Sequence, residues 1–260
     1  MMMTLFHQII NMPHFFINTK NITKDLVTID DKENYQHIAR SLRAKIGEKL
    51  RVIDENRIEY ECDITEITKS TIIAKIEKKY PSKNDLKFNL FLAQSPVKSD
   101  AQGLIIEKAT ELGIRGIYPI YTDFCTLSKN IIENKIPKWQ KTMIEASKQC
   151  ERASIPECFE LTTLEKLLNT KKFDRILAFC ERDERFSLKT YLTETPIKQG
   201  ENVLVIIGPE GGFSAREFKF FSEHDIIMLT LGSLILKAET ATIVALGNIV
   251  YEFSNNTKNS

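Results

Sequence analysis

No apolar run in the 260-residue sequence approaches the roughly 20 residues needed to span a bilayer, which argues against a transmembrane helix and a membrane partner. The opening stretch, MMMTLFHQIINMPHFFINTK, lacks a basic n-region and a small-residue cleavage site, so it does not read as a signal peptide. Met12 is an equally good start, with residues 1–11 as an extension. The five cysteines, at 62, 125, 150, 158 and 180, contain no C-x-x-C pair and are odd in number. They read as reduced thiols of a cytoplasmic protein, not as a disulfide framework or zinc site. The four histidines have no metal-ligand spacing, so no metal is expected. Charge of one sign is also lacking. The formal net charge is +1, so any binding of nucleic acid must come from local patches. No internal repeat is visible, and only the closing SNNTKNS reads as disordered.

The chain is long enough for one large domain or two smaller ones, with composition ordinary for a soluble globular protein. Residues 12–82 read as a small β-rich domain. LVTI, KLRVID, IEYECDITEI and TIIAKIEKKY are short runs rich in β-branched residues, and Glu55-Asn56 marks a hairpin turn. One helical segment, NYQHIARSLRAK, precedes Gly47, and Ile38, Leu42 and Ile46 recur at a spacing of four as one buried face. YPSKND at 80–85 reads as a linker. From residue 86 to 254 strands alternate with helices. The strands are KFNLFLAQS, GIYPIYT, RILAFCE, VLVIIG and IIMLTLG. The helices include one capped by Ser99 and stopped by Gly113, one with Pro137 near its start, one over SAREFKFFSEHD, and a long terminal one. That alternation predicts an α/β domain with a mostly parallel sheet.

Two glycine turns in this second half carry the chemistry. In VIIGPEGGFSAREF, a buried strand ends at Gly-Pro-Glu-Gly-Gly and a capping box, Ser214 with Glu217, opens a helix. Glycines let a ligand approach the backbone, and free N–H groups at a helix start favour polar or anionic ligands. No G-K-[ST] follows, so this is not a Walker A loop, and the spacing is not G-x-G-x-x-G. A tight structural turn stays open as the plainer reading. LTLGSLILKAETATIVALG, residues 229–247, repeats strand, glycine turn, polar cluster and helix. Its apolar Leu231, Leu234, Ile235 and Leu236 predict a pocket wall for a flat, largely uncharged group such as adenine. Lys237 and Glu239 follow at the mouth of the last helix. An acid there also simply favours a helix start. Arg40, Arg43, Lys45, Lys49 and Arg51 cluster against a single Glu48, either as a solvated face or as a phosphate-contacting patch.

Together, IIGPEGGFSAREF and LGSLILKAETA resemble the paired C-terminal signature of the RsmE family of SPOUT-class methyltransferases. KATELGI (108–114), EASKQCERASIPE (145–157), HIARSLRAKIGEKLRVID (37–54) and PHFFI (13–17) extend the likeness across nearly the whole chain from Met12. The resemblance implies an N-terminal PUA-like RNA-binding β-barrel domain over 12–82. It implies a SPOUT α/β-knot domain, a trefoil-knotted parallel sheet, over 86–254. It implies a cytoplasmic homodimer that transfers a methyl group from S-adenosyl-L-methionine to N3 of a uridine in 16S ribosomal RNA of the small subunit. A SPOUT enzyme for another RNA and a non-catalytic RNA-binding assembly factor are the alternatives.

By the same resemblance the donor is held by loops 178–182, 208–212 and 231–237. Phe179 stands in the first. Gly208, Pro209, Glu210, Gly211 and Gly212 form the second, where Glu210 either orients the donor or, as we favour, supports the loop. Leu231, Gly232, Leu234, Ile235 and Leu236 form the third. Uridine N3 carries a proton at neutral pH, so transfer needs its removal or stabilisation of the uridinate. Glu239 is the candidate base, and Lys237 and Arg152 are candidates to stabilise negative charge or bind phosphate. The basic cluster at 40–51 becomes an expected RNA-contacting surface. Departures from the family pattern are Lys237 where Arg is usual, Ser233 where Pro is common, and His14 where Arg is frequent. Lys keeps the charge but loses the bidentate fork.

Overall fold

A computed structural model describes residues 12–180 and 186–256. The chain divides into two compact units. One runs to Asp85 and takes in Lys148–Ser154; the other comprises Leu86–Ser147 and the chain from Ile155 onward.

The first unit is built on a five-stranded sheet: β1 (His14–Phe16), β2 (Leu26–Ile29), β3 (Lys49–Ile53), β4 (Ile58–Ile67) and β5 (Ile72–Pro81). Its order is β1-β3-β4-β5-β2, antiparallel except where β1 runs parallel to β3. Alternating residues such as Val27, Ile29, Leu50, Val52, Cys62, Ile64, Ile72 and Ala74 point into one core. Two register shifts in the β4–β5 pairing bend the ribbon. The β3–β4 turn forms because the Asp54 carboxylate accepts from the Asn56 and Ile58 N–H groups at 2.9 Å each, while Arg57 takes φ 61°.

The expected helix before Gly47 is shorter and differently wound. Asp31 caps α1 (Lys32–Tyr35) by accepting from Asn34 N–H at 2.8 Å, and the chain then widens into a π-helical segment, Gln36–Ser41. The winding stops at Ser41 and Arg43 takes φ 54°, so the spacing of four is not continued. Ile38 is buried, but Leu42 and Ile46 are exposed.

The second unit holds a six-stranded, wholly parallel sheet: β6 (Asn89–Gln94), β7 (Gly116–Pro119), β8 (Glu157–Cys158), β9 (Arg175–Phe179), β10 (Asn202–Ile207) and β11 (Ile227–Leu229). Its order is β11-β9-β10-β6-β7-β8. Helices α2 (Ser99–Glu111), α3 (Lys129–Gln149), α4 (Leu164–Thr170), α5 (Leu188–Glu194), α6 (Ala215–Glu223) and α7 (Ala238–Asn256) cover it. The period-two rule sorts β10 between two cores. Val203, Val205 and Ile207 join residues of α2, α3, α5 and α7; Leu204 and Ile206 join residues of α4 and α6. A sheet buried on both faces explains why its strands read as unbroken apolar runs.

Three local expectations are corrected. Helix α2 takes Lys98, not Ser99, as its N-cap residue, and no Lys98 side-chain bond caps it. Helix α3 begins eight residues before Pro137, which stands in its interior. Buried Ile132 on one side, and Trp139 and Met143 on the other, hold the helix across the lost hydrogen bond. The terminal helix continues through SNN to Asn256, where disorder was expected; residues 257–260 lie outside the described residues.

Candidate cofactor and active site

Strands β9, β10 and β11 end in register: Phe179 pairs with Ile207 on one side and Leu229 on the other. Ligands of open α/β sheets bind in the crevice outside the carboxyl ends of such strands. A cavity of about 830 Å³ lies there. That is within the usual range for a cofactor-sized molecule. Its walls are Phe179 and Cys180 from β9, the loop 207–213 after β10, and the stretch 230–232 with 234–239 after β11; Lys98, Ala101, Phe218 and Ala241 complete it.

The loop after β10 is held from several sides. Gly212 N–H donates to the Pro209 carbonyl at 2.9 Å, and Gly212 has φ +69°, a conformation costly for any L side chain. A Cβ on Gly211 would lie 3.1 Å from Cβ of Phe124, and one on Gly208 would lie 3.2 Å from the Phe213 ring. Aromatic side chains of the protein itself therefore crowd these two positions, apart from any space they clear for a ligand. The space around Gly212 and Gly232 is open. Glu210 reaches back to the Lys98 N–H at 3.5 Å, at the start of α2, consistent with loop support.

The capping box forms as expected. Ser214 N–H donates to Glu217 at 2.8 Å and Glu217 N–H to the Ser214 hydroxyl at 3.2 Å. The same Glu217 carboxylate accepts from Asp123 N–H at 3.1 Å. Arg216 grips Asp123 through Nη2 at 2.7 Å and Nε at 3.1 Å, and Glu165 through Nη1 at 3.0 Å. The Arg216 guanidinium, followed by the Ser214 hydroxyl, holds the Asp123 carboxyl below its usual range. This network, absent from the sequence reading, ties loop 120–125 to the cofactor loop.

The loop after β11 turns at Gly232, φ +128°, where the Thr230 hydroxyl donates to the Gly232 carbonyl at 2.9 Å. Leu231 and Leu236 are half-buried, but Leu234 and Ile235 are 80% and 61% exposed. The apolar wall is present, and half of it is uncovered. Lys237 stands at the head of α7, with its carbonyl accepting from Ala241 N–H at 2.8 Å, and Glu239 lies in the first turn. Both line the cavity, and neither side chain is hydrogen-bonded or ion-paired to a described residue. A carboxyl and an amino group thus both line the cavity without a partner among the described residues.

The other expected site residues divide. Residues 181 and 182 of the first donor loop lie outside the described residues. Arg152 does not line the cavity. It is 4% exposed within the first unit, with an ion pair to Asp85 at 3.5 Å. Arg51 is likewise committed, to Glu59 at 3.8 Å and to Glu151, with its side chain 11% exposed. Lys49 pairs with Asp63 at 2.7 Å but remains at the surface. Arg40, Arg43 and Lys45 are exposed. The expected basic cluster is therefore not one free surface: the acidic neighbours Glu59 and Glu151 engage Arg51. His14 is buried with no hydrogen-bond partner at either ring nitrogen among the described residues, and burial, then the Arg51 charge, pushes its pKa down. It cannot serve as a charged substitute for an arginine at neutral pH. Sequence reasoning missed Lys98, whose only signal was a cation at the carboxyl end of β6.

A glycine-looped cavity at the carboxyl edge of a parallel α/β sheet, in a chain that also carries a separate β unit, fits the SPOUT methyltransferase class. A model of the RNA methyltransferase domain matches residues 84–250, and one of the RNA methyltransferase PUA domain matches residues 29–77. The chain belongs to this RNA methyltransferase family, in its RsmE branch. It is 27% identical to the ribosomal RNA small subunit methyltransferase E of Rickettsia conorii, over 90% of this chain and 93% of that one. It is 30% identical to the enzyme of the same name from Buchnera aphidicola subsp. Acyrthosiphon pisum, over 82% and 83%. A putative methyltransferase from Legionella pneumophila, solved with the bound cofactor SAM, superimposes with a TM-score of 0.79 at 26% identity, covering 92% of this chain and 97% of that one.

Proposed function

We propose that this protein transfers a methyl group from S-adenosyl-L-methionine to N3 of one uridine in 16S ribosomal RNA. The observation that carries the reading is the pairing of the open, glycine-turned cavity with Lys237 and Glu239, two charges at one helix start that have no partner among the described residues.

The residues present suit the donor. The apolar side chains of Phe179, Leu231 and Leu236 offer a face for an adenine ring. The open space at Gly232 lets backbone groups approach a ligand. When bound, the cofactor supplies an electrophilic methyl group. The chain must then handle the proton and charge of the acceptor. The Glu239 carboxylate accepts the N3 proton, and the Lys237 ammonium stabilises the negative charge that spreads to the uracil oxygens. Glu210 and the Asp123–Arg216 pair hold the loop in place, so that orientation supplies part of the rate.

Exposed Leu234 and Ile235 at the cavity, and Tyr251 at 65% exposure on α7, favour a homodimer that covers apolar surface. The place of action is the cytoplasm, where the small subunit is assembled. The test is methyl incorporation from labelled donor into small ribosomal subunits and into protein-free 16S RNA, alongside donor binding by calorimetry. Incorporation into either supports the reading. Donor binding without transfer to either would move the substrate to another RNA, and absence of donor binding would leave an RNA-binding factor.

A further inference from the structure

The first unit carries a second concave site, remote in sequence from the glycine loops. Asp30, Lys32, Tyr35, Gln36, Arg40 and Ser41 form one side of a groove of about 600 Å³, and Lys69 and Ser70, at the tip of the β4–β5 hairpin, form the other. Lys32, Arg40 and Lys69 are exposed, and none is ion-paired to a described residue. The single carboxylate on the rim, Asp30, accepts from the Asn21 side-chain amide at 2.7 Å. The groove therefore presents three unpaired cations against one engaged carboxylate, with serine hydroxyls and a glutamine amide among them.

The groove has a built floor. Tyr35 is 8% exposed and donates its hydroxyl to the Thr68 carbonyl at 2.8 Å. That bond fixes the helix wall to the hairpin wall. The helix wall itself is π-helical from Gln36 to Ser41, a winding frequent at functional sites. Here it follows α1 directly and brings Arg40 and Ser41 to the groove that Lys32 and Gln36 also line. Such a set of point charges and neutral donors suits phosphodiester oxygens, not an apolar or cationic ligand.

We propose that the groove formed by Lys32, Arg40 and Lys69 seats the sugar-phosphate backbone of the RNA substrate. This rests on the proposed function only in taking RNA as the ligand. The groove is distinct from the basic cluster read in the sequence, with which it shares Arg40 alone. Lys32 and Lys69 lie outside that cluster and come together with Arg40 only through the fold.

The test measures binding of a fluorescent, single-stranded fragment of small-subunit ribosomal RNA without methyl donor, so that failed methyl transfer and failed RNA seating are separate results. Removing two phosphate contacts with Arg40→Gln and Lys69→Gln together should lower the slope of log K against log salt by about 1.4, at about 0.7 per contact on a single strand. Arg40→Lys should keep the slope, since a point charge suffices. An equal charge removal at exposed Lys79 and Lys198, neither of which lines the groove, should leave it unchanged. An unaltered slope in the first double variant, or an equal fall in the second, would overturn the proposal. Inorganic phosphate that displaces RNA far better than chloride at matched ionic strength would instead assign the groove to a free anion.

Discussion

Two neighbouring glycines of the cofactor loop should respond to the same substitution in opposite ways. Gly212 has φ +69° but no atom within 4 Å of where a Cβ would lie. Gly212→Ala should therefore cost only backbone strain, about 1–2 kcal/mol for an L residue held in the left-handed region. In a protein of this size each 1 kcal/mol lowers Tm by roughly 2–4 °C. Gly211 has no such backbone demand, but its Cβ would meet that of Phe124 at 3.1 Å. One of the two must shift by a few tenths of an ångström, and the shift falls on a loop that lines the cavity. Gly211→Ala should thus weaken binding of S-adenosyl-L-methionine by about tenfold, equivalent to about 1.4 kcal/mol. The accompanying change in Tm should be smaller than that of Gly212→Ala. Calorimetric titration and thermal melting of both variants decide the matter. Equal loss of affinity in the two, or unchanged affinity in Gly211→Ala, would refute the argument that packing against Phe124 shapes the loop.

Glu239→Gln should lower turnover by about 10²–10⁴, the usual contribution of a general base, with donor affinity nearly intact; single-turnover methylation and calorimetry read the two separately. Arg216→Gln should release Asp123 and Glu165 and weaken donor binding, with Arg216→Lys restoring part of it, as equilibrium titration would detect. His14 has its pKa lowered from 6.5 by burial, so the unfolded chain takes up a proton before the native state does. Its contribution to stability is present above pH 6.5 and lost as pH falls through the window below it. Tm measured from pH 7.5 to 5 should decline, and less steeply in His14→Phe. Burial pushes the Cys62 and Cys158 thiols up to about 12, so in the native protein a thiol reagent should spare both, as peptide mapping would reveal.

The strands of the second unit were legible because a sheet buried on both faces leaves continuous apolar runs such as VLVII and RILAF, bounded by turns. The Ser214–Glu217 capping box was legible because it is local. The π-helical segment was not, since Ile38, Leu42 and Ile46 carry an ordinary helical period although the winding stops at Ser41. Residues joined across long stretches were also hidden. Arg216 meets Asp123 across 93 positions, and Tyr35 meets Thr68 across 33. Arg51 looked like part of a basic patch because its neighbours in sequence are basic, whereas its neighbours in space are Glu59 and Glu151. The glycine loop lines the cavity, but two of its glycines are also closely approached by Phe124 and Phe213, one of them far away in sequence.

The central claim is tested most directly with small ribosomal subunits that lack the native uridine methylation. After incubation with the protein and isotopically labelled S-adenosyl-L-methionine, the RNA is digested and the label located by mass spectrometry. The account predicts a labelled methyl group on N3 of a single 16S uridine. Label on a ribose hydroxyl or on another base, or none while the donor remains bound, would contradict it.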